Sequence, residues 1–342
     1  MNRSSATCRI LLACAVFSLA LPTFADTTAP TPTIPQPVKY TVNGYVQGRY
    51  TDDFGQGSKN GSFDVTRAYI NLRADVNQHI SAVMMVSGTP KVGVKEAYGE
   101  YAFNPSVKAR LGLSRIPFGY EVQVSSSRLI TLERSQAVSE LLAKEFTFDR
   151  GLYAYYTPKS SPLSLSAGIT NGNFTDAKSA DDTLFPRDTN NTKNIVARVG
   201  YAIPGGQVGV SAYIGKHPNG ETMDRYDAEL EATWGALTVQ SEVITGTGSS
   251  LTPSTYSGDH HALGGYAILA YRKPGTQGQP YIRAEAYDPD TDSGDNSYKS
   301  ATVGYNHYLT DNSKLTLEYR AINDNLHPHA HGTLGAQYQV SF

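Results

Sequence analysis

The side chains that could do chemistry in this chain are mainly cations set among alternating apolar residues. Arg67 and Arg73, and likewise Lys108 and Arg110, share a face of their segments if those segments are extended, because successive strand side chains point to opposite sides. Fixed positive charge along one wall of a narrow, low-dielectric passage focuses an attractive field on anions. The same alternation puts Arg49, Arg198, Arg283 and Arg320 on such faces. It also puts Asp75, Glu96, Glu100, Glu229, Glu231, Glu242, Glu285 and Glu318 there, so a mixed, ion-paired lining is the plainer reading. His260, His261 and the alternating His327, His329 and His331 would offer a metal ion a strip of imidazoles if extended. An exposed polar loop explains them equally well, since no carboxylate or cysteine stands at a fixed spacing beside them. No nucleophile elbow, zinc motif or phosphate loop occurs, so no catalytic residue, metal or cofactor is expected.

The elements that would position these cations are strands. From Lys39 onward, stretches of about ten residues with period-two apolar alternation are separated by Gly, Pro, Asn, Asp and Ser clusters. In the last stretch Leu334, Ala336, Tyr338, Val340 and Phe342 form an apolar face, opposed by Thr333, Gly335, Gln337, Gln339 and Ser341. Ile195 to Ile203, Tyr226 to Trp234 and Leu315 to Tyr319 split the same way. About sixteen such strands can be counted between residues 39 and 342, joined alternately by short turns and longer polar connections. The expected fold is all-β, a transmembrane antiparallel β-barrel whose outward side chains meet outer-membrane lipid. Tyr50, Tyr101, Phe103, Tyr201, Trp234, Tyr308 and Phe342 fall near strand ends, where rings rest at a lipid boundary. A soluble secreted β-sandwich used for binding would alternate too, and an outer-membrane barrel enzyme of the lipid-hydrolase type is the other alternative.

Residues 1–25 read as a secretory signal, with Arg3 and Arg9, an apolar run from Ile10 to Leu21 and small residues around Ala25. Export to the bacterial outer membrane with removal of this leader follows. Both cysteines, Cys8 and Cys14, lie inside it, as suits a chain crossing an oxidising compartment. Residues 26–38 are dense in Pro and Thr and read as an extended periplasmic spacer. With 29 basic and 31 acidic residues there is no basic footprint for nucleic acid. No apolar run beyond the leader approaches the length of about 18 residues that a membrane helix needs.

Three stretches carry a resemblance. Phe63-Asp64-Val65-Thr66-Arg67-Ala68-Tyr69, Glu96-Ala97-Tyr98 with Gly99-Glu100-Tyr101, and Leu111 through Arg115-Ile116-Pro117-Phe118-Gly119 together resemble the phosphate-selective porin O and P family. The terminal Tyr338-Gln339-Val340-Ser341-Phe342 is similar to the assembly signal of outer-membrane barrels. The resemblance implies a sixteen-stranded barrel, a homotrimer, and passive diffusion of inorganic ions and small polar solutes. It also implies a third outer loop, here residues 115–146, folded inward as a constriction. Phosphate-selective members line that constriction with arginines and lysines, a part for which Arg115, Arg128 and Arg134 qualify by location. Glu121, Glu133, Glu140 and Glu145 interleave with them, so the loop has no positive excess. Its apolar residues, Leu129, Ile130, Leu132, Val138, Leu141 and Leu142, are expected to pack against the inner wall, with a short helix within residues 133–144.

Overall fold

Alternation becomes a wall when every strand finds two neighbours. A computed structural model describes residues 37–54, 61–89, 92–142, 147–172, 192–216, 222–247, 260–293, 297–325 and 327–342. The expected signal at residues 1–25 and all but the end of the spacer lie outside them. Among the described residues the first eight strands are β1 (Lys39–Phe54), β2 (Ser62–Asp75), β3 (Ile80–Ser87), β4 (Gly93–Asn104), β5 (Val107–Arg115), β6 (Phe148–Tyr156), β7 (Leu163–Thr170) and β8 (Asn194–Ile203). The next four are β9 (Gly206–Lys216), β10 (Thr222–Trp234), β11 (Leu237–Thr247) and β12 (His261–Tyr271). The last four are β13 (Gly278–Asp288), β14 (Tyr298–Thr310), β15 (Ser313–Asp324) and β16 (His327–Ser341). Each pairs antiparallel with its sequence neighbours, and β1 pairs with β16, which closes the barrel.

Closure is carried to the last residue. The Gly44 N–H donates to the Phe342 carbonyl at 2.9 Å and the Phe342 N–H returns a bond to the Gly44 carbonyl at 3.0 Å. A Cβ on Gly44 would stand 2.7 Å from the Phe342 ring, so the glycine makes room for the terminal aromatic. A sandwich leaves unpaired sheet edges and a closed ladder leaves none, which excludes the sandwich.

The ladder turns the sequence period into two surfaces. On β13, Gln279, Tyr281, Arg283, Glu285 and Tyr287 are buried on the inside, while Pro280, Ile282, Ala284 and Ala286 are exposed outside. Along β15, Leu315, Leu317 and Tyr319 point out, and Lys314, Thr316 and Glu318 point in. Tyr101, Phe103, Tyr201, Trp234 and Phe342 are exposed near the ends of their strands, at the rim that carries the short turns. Tyr308 departs from that expectation. It follows the inward face of β14, where its hydroxyl donates to Gln279 Oε1 at 2.8 Å and Arg272 stacks 3.9 Å from its ring centre.

Other differences concern the connections. The segment from His327 to His331 begins β16 rather than forming a loop, so only residues 325 and 326 join β15 to β16. Alternation lets it continue the ladder with β15, and among the described residues β1 pairs with β16 as far as Gly332. A register shift between Ile322 and Asp324 occurs beside it. The side chains of His327 and His329 lie outside the described residues. Arg115 ends β5 rather than opening the loop.

If the outward face meets hydrocarbon, Leu317→Arg should destabilise the barrel by about 2–4 kcal/mol. Equilibrium unfolding in lipid vesicles measures this, and a change below about 0.5 kcal/mol would deny that Leu317 faces lipid.

Candidate functional site

The segment between β5 and β6 has little repeating structure of its own. It holds α1 (Tyr120–Gln123), a 3₁₀ turn at Ser126–Arg128 and α2 (Gln136–Leu141), the last opened by Ser135, whose side chain accepts from the Val138 N–H at 3.2 Å. The helix α2 falls within the span expected to hold one, and residues 143–146 lie outside the described set. All six of the segment's expected apolar residues are buried. Ala137, Val138, Leu141 and Leu142 join a cluster that includes Ala262, Tyr266, Ile268 and Tyr287.

Its backbone is met by inward side chains of many strands. The Gly119 N–H donates to Ser211 Oγ at 3.0 Å and the Glu121 N–H to Glu242 Oε2 at 3.1 Å. Gln339 donates to the Ser127 carbonyl, Lys314 to Leu129 at 2.7 Å and Asn306 to Ile130 at 2.9 Å. The Leu132 N–H donates to Glu318 Oε2 at 3.0 Å and the Gln136 N–H to Glu285 Oε2 at 3.1 Å. Arg283 donates to the Glu133 carbonyl at 2.9 Å, and Arg225 to that of Leu141 at 2.8 Å.

Charge is distributed unevenly. Arg49 reaches Glu133 Oε1 at 2.6 Å, and Arg67 pairs with the other oxygen of the same carboxylate. Burial opposes ionisation of Glu133, yet Arg67 and Arg49 outweigh it and hold the carboxyl below its usual value. Glu121 behaves in the opposite way, because burial pushes its carboxyl up despite Arg283 and the Ser135 N–H beside it. On the adjoining wall of β2, β4 and β5, Arg73, Lys108 and Arg110 converge on Glu100 at 3.4, 3.6 and 2.7 Å. Arg110 also lies 4.6 Å from the Tyr98 ring centre and 4.7 Å from that of Tyr155. Beneath α1, three carboxylates gather, Asp227, Glu229 and Glu242, with Arg198 paired to Glu229.

A closed sixteen-stranded barrel with a charged interior and a long segment bonded to its inward side chains narrows the identity. The sequence matches the phosphate-selective porin O and P family over residues 40–213 and 211–333. The chain belongs to that family. It is therefore an outer-membrane porin, as its early motifs imply. Among solved structures it resembles the anion-selective porin from Comamonas acidovorans, with TM-score 0.68 and 12% identity over 90% of this chain and 100% of that one. It also resembles the trimer form of Vibrio cholerae OmpT, with TM-score 0.64 and 10% identity over 90% and 100%. The outer membrane channel DcaP of Acinetobacter baumannii gives 0.65 and 11% over 89% and 97%. No curated protein matches the sequence.

The expected site residues of the porin separate into two groups. Arg115 and Arg134 are spent on the loop itself: Arg115 donates to the Val124 carbonyl at 2.9 Å, and Arg134 to Glu121 and Val124 carbonyls and to Ser126 Oγ. These bonds brace the segment with two half-buried guanidiniums, as carbonyls without a helical partner require. Arg128 alone of the three is exposed. Arg67 is taken by Glu133, whereas Arg73, Lys108 and Arg110 keep the shared inward face that alternation predicted. Sequence reasoning placed Arg49 inside without giving it a role, and it missed Lys314 as a loop clamp. Alternation tells the face of a residue but not what stands opposite.

Glu133→Gln should release Arg49 and Arg67 from their shared carboxylate and shift the reversal potential in a salt gradient toward anions. Low pH should act in the same direction. A depressed carboxyl contributes stability above its unfolded pKa, about 4.3, and loses it as pH falls through the lower folded value. Equal selectivity of variant and wild type in planar bilayers would show that the two arginines lie outside the ion path.

Proposed function

We propose that the porin is a passive, mildly anion-preferring channel in which residues 116–142 form the constriction and the β2–β5 wall lines the path. What carries the reading is the difference in exposure between the cations around Glu100 and those around Glu133. The side chains of Arg73, Lys108 and Arg110 remain 35%, 40% and 25% exposed around one carboxylate, against 9% and 14% for Arg49 and Arg67. Cations that a solute can touch outnumber the carboxylates beside them, Glu100 and Asp75. Arg128 adds to this surface, and with Arg115, Asn71, Glu96 and Gln339 it lines a cavity of about 680 Å³ near the short-turn rim. The neighbouring acids keep the preference mild, with inorganic phosphate one of several small anions admitted. The anion-selective Comamonas porin of the same fold is consistent with that sign.

Three further elements belong to this reading. Residues 1–25 direct export and are removed. Three copies assemble, in keeping with the trimer form of OmpT, and the chain catalyses no reaction, in keeping with its family.

Purified porin in planar bilayers should give stepwise conductance and an anion-preferring reversal potential, without lipid hydrolysis. Arg73→Gln with Lys108→Gln should move that potential toward cations, while Arg110 keeps the buried Glu100 paired and the barrel folded. A double variant that folds with unaltered selectivity would move the filter to another wall. Hydrolysis without conductance would overturn the channel reading itself.

A further inference from the structure

Asp227 and Glu229 of β10 and Glu242 of β11 bring three carboxylates together, one oxygen from each lying within 4.8 Å of the others. They are 5%, 6% and 0% exposed. Asp227 has no hydrogen-bond partner at either carboxylate oxygen, and Glu229 Oε2 and Glu242 Oε1 have none either. Arg198 Nε donates to the remaining oxygen of Glu229 at 3.0 Å. The other oxygen of Glu242 accepts from the Glu121 N–H and the Tyr266 hydroxyl, both at 3.1 Å.

Three carboxylates against one arginine leave two negative charges uncompensated in a closed space, an arrangement that costs several kcal/mol unless a proton or a cation enters. Oxygen spacings up to 4.8 Å suit an ion that takes oxygen ligands at about 2.3–2.6 Å on opposite sides. Softer metals prefer imidazole or thiolate, which the cluster lacks, and Mg²⁺ tolerates irregular geometry less well than Ca²⁺. The backbone of Gly119 passes directly beside the cluster. A Cβ there would collide with Glu242 Oε1 and stand 3.6 Å from Asp227 Cγ.

We propose that Asp227, Glu229 and Glu242 bind a divalent cation of the Ca²⁺ class, which ties β10 to β11 under the first turn of the inserted segment. The ion neutralises the two excess charges and stiffens the wall that receives the Gly119 and Glu121 N–H groups. The proposal is independent of the sign of the pore.

The test is calorimetric titration of the full chain, refolded from inclusion bodies so that no lipopolysaccharide is present, stripped with EDTA and held at neutral pH. One Ca²⁺ per chain is expected, and Asp227→Asn should weaken it at least about tenfold with unchanged gel mobility of the folded form. Asp292→Asn, in the connection after β13, should leave the titration as it was. Wild-type protein that takes up no Ca²⁺ at millimolar concentration would assign the cluster to shared protons and overturn the proposal. Binding lost in Asp292→Asn, or kept in full by a folded Asp227→Asn, would overturn it by placing the ion elsewhere.

Discussion

A backbone segment laid against the inside of a closed sheet must still satisfy its donors and acceptors, and strand pairing is no longer open to it. Each buried group left without a partner costs about 1–3 kcal/mol. Residues 119–141 contain only two short helices and one 3₁₀ turn, so most of their polar groups look outward from the segment. The barrel answers with side chains: Ser211, Glu242, Gln339, Lys314, Asn306, Glu318, Arg283, Glu285 and Arg225 each meet a successive part of the segment. A wall built for this purpose has to be polar, and its charges are then committed to holding backbone.

Fit depends on missing side chains as much as on those present. Gly119 turns the chain at a φ of 55°, which other residues adopt only with strain. A Cβ on Gly264 would stand 2.6 Å from the methyl of Ala137, so this β12 glycine lets α2 lie close to the wall. Charge and shape then favour one position of the segment, and Glu133 locks its middle against β1 and β2 through Arg49 and Arg67.

The consequence is a lopsided interior. Inward side chains of β10–β15 are largely buried under the segment, whereas Arg73, Tyr98, Lys108, Arg110 and Tyr155 on β2–β6 remain half-buried. Similar residue types therefore have different parts to play: Arg283 is a brace with no side-chain exposure, while Lys108 keeps 40% of its side chain open. Fixed charge acts on an ion most strongly where water and ion can reach it, and the two walls differ in that access.

The sequence by itself determined the barrel, because period two and a lipid-or-water choice for every side chain leave few alternatives. Leu315, Leu317 and Tyr319 against Thr316 and Glu318 read the same way in the sequence as in the ladder. It also settled that the long segment after β5 would bury Leu129, Ile130, Val138 and Leu142, since these residues gain nothing from water. What it could not settle is which arginine faces solute. Arg115 and Arg134 look no different in sequence from Arg128, yet two cap loop carbonyls and one is exposed. Glu133 meets residues 84 and 66 positions away, and Asp227 meets Glu242 across a hairpin. Periodicity is a local property that assigns a face. Partners across a barrel follow from closure and register, so only the tertiary structure decided which charges brace the segment and which keep exposed surface.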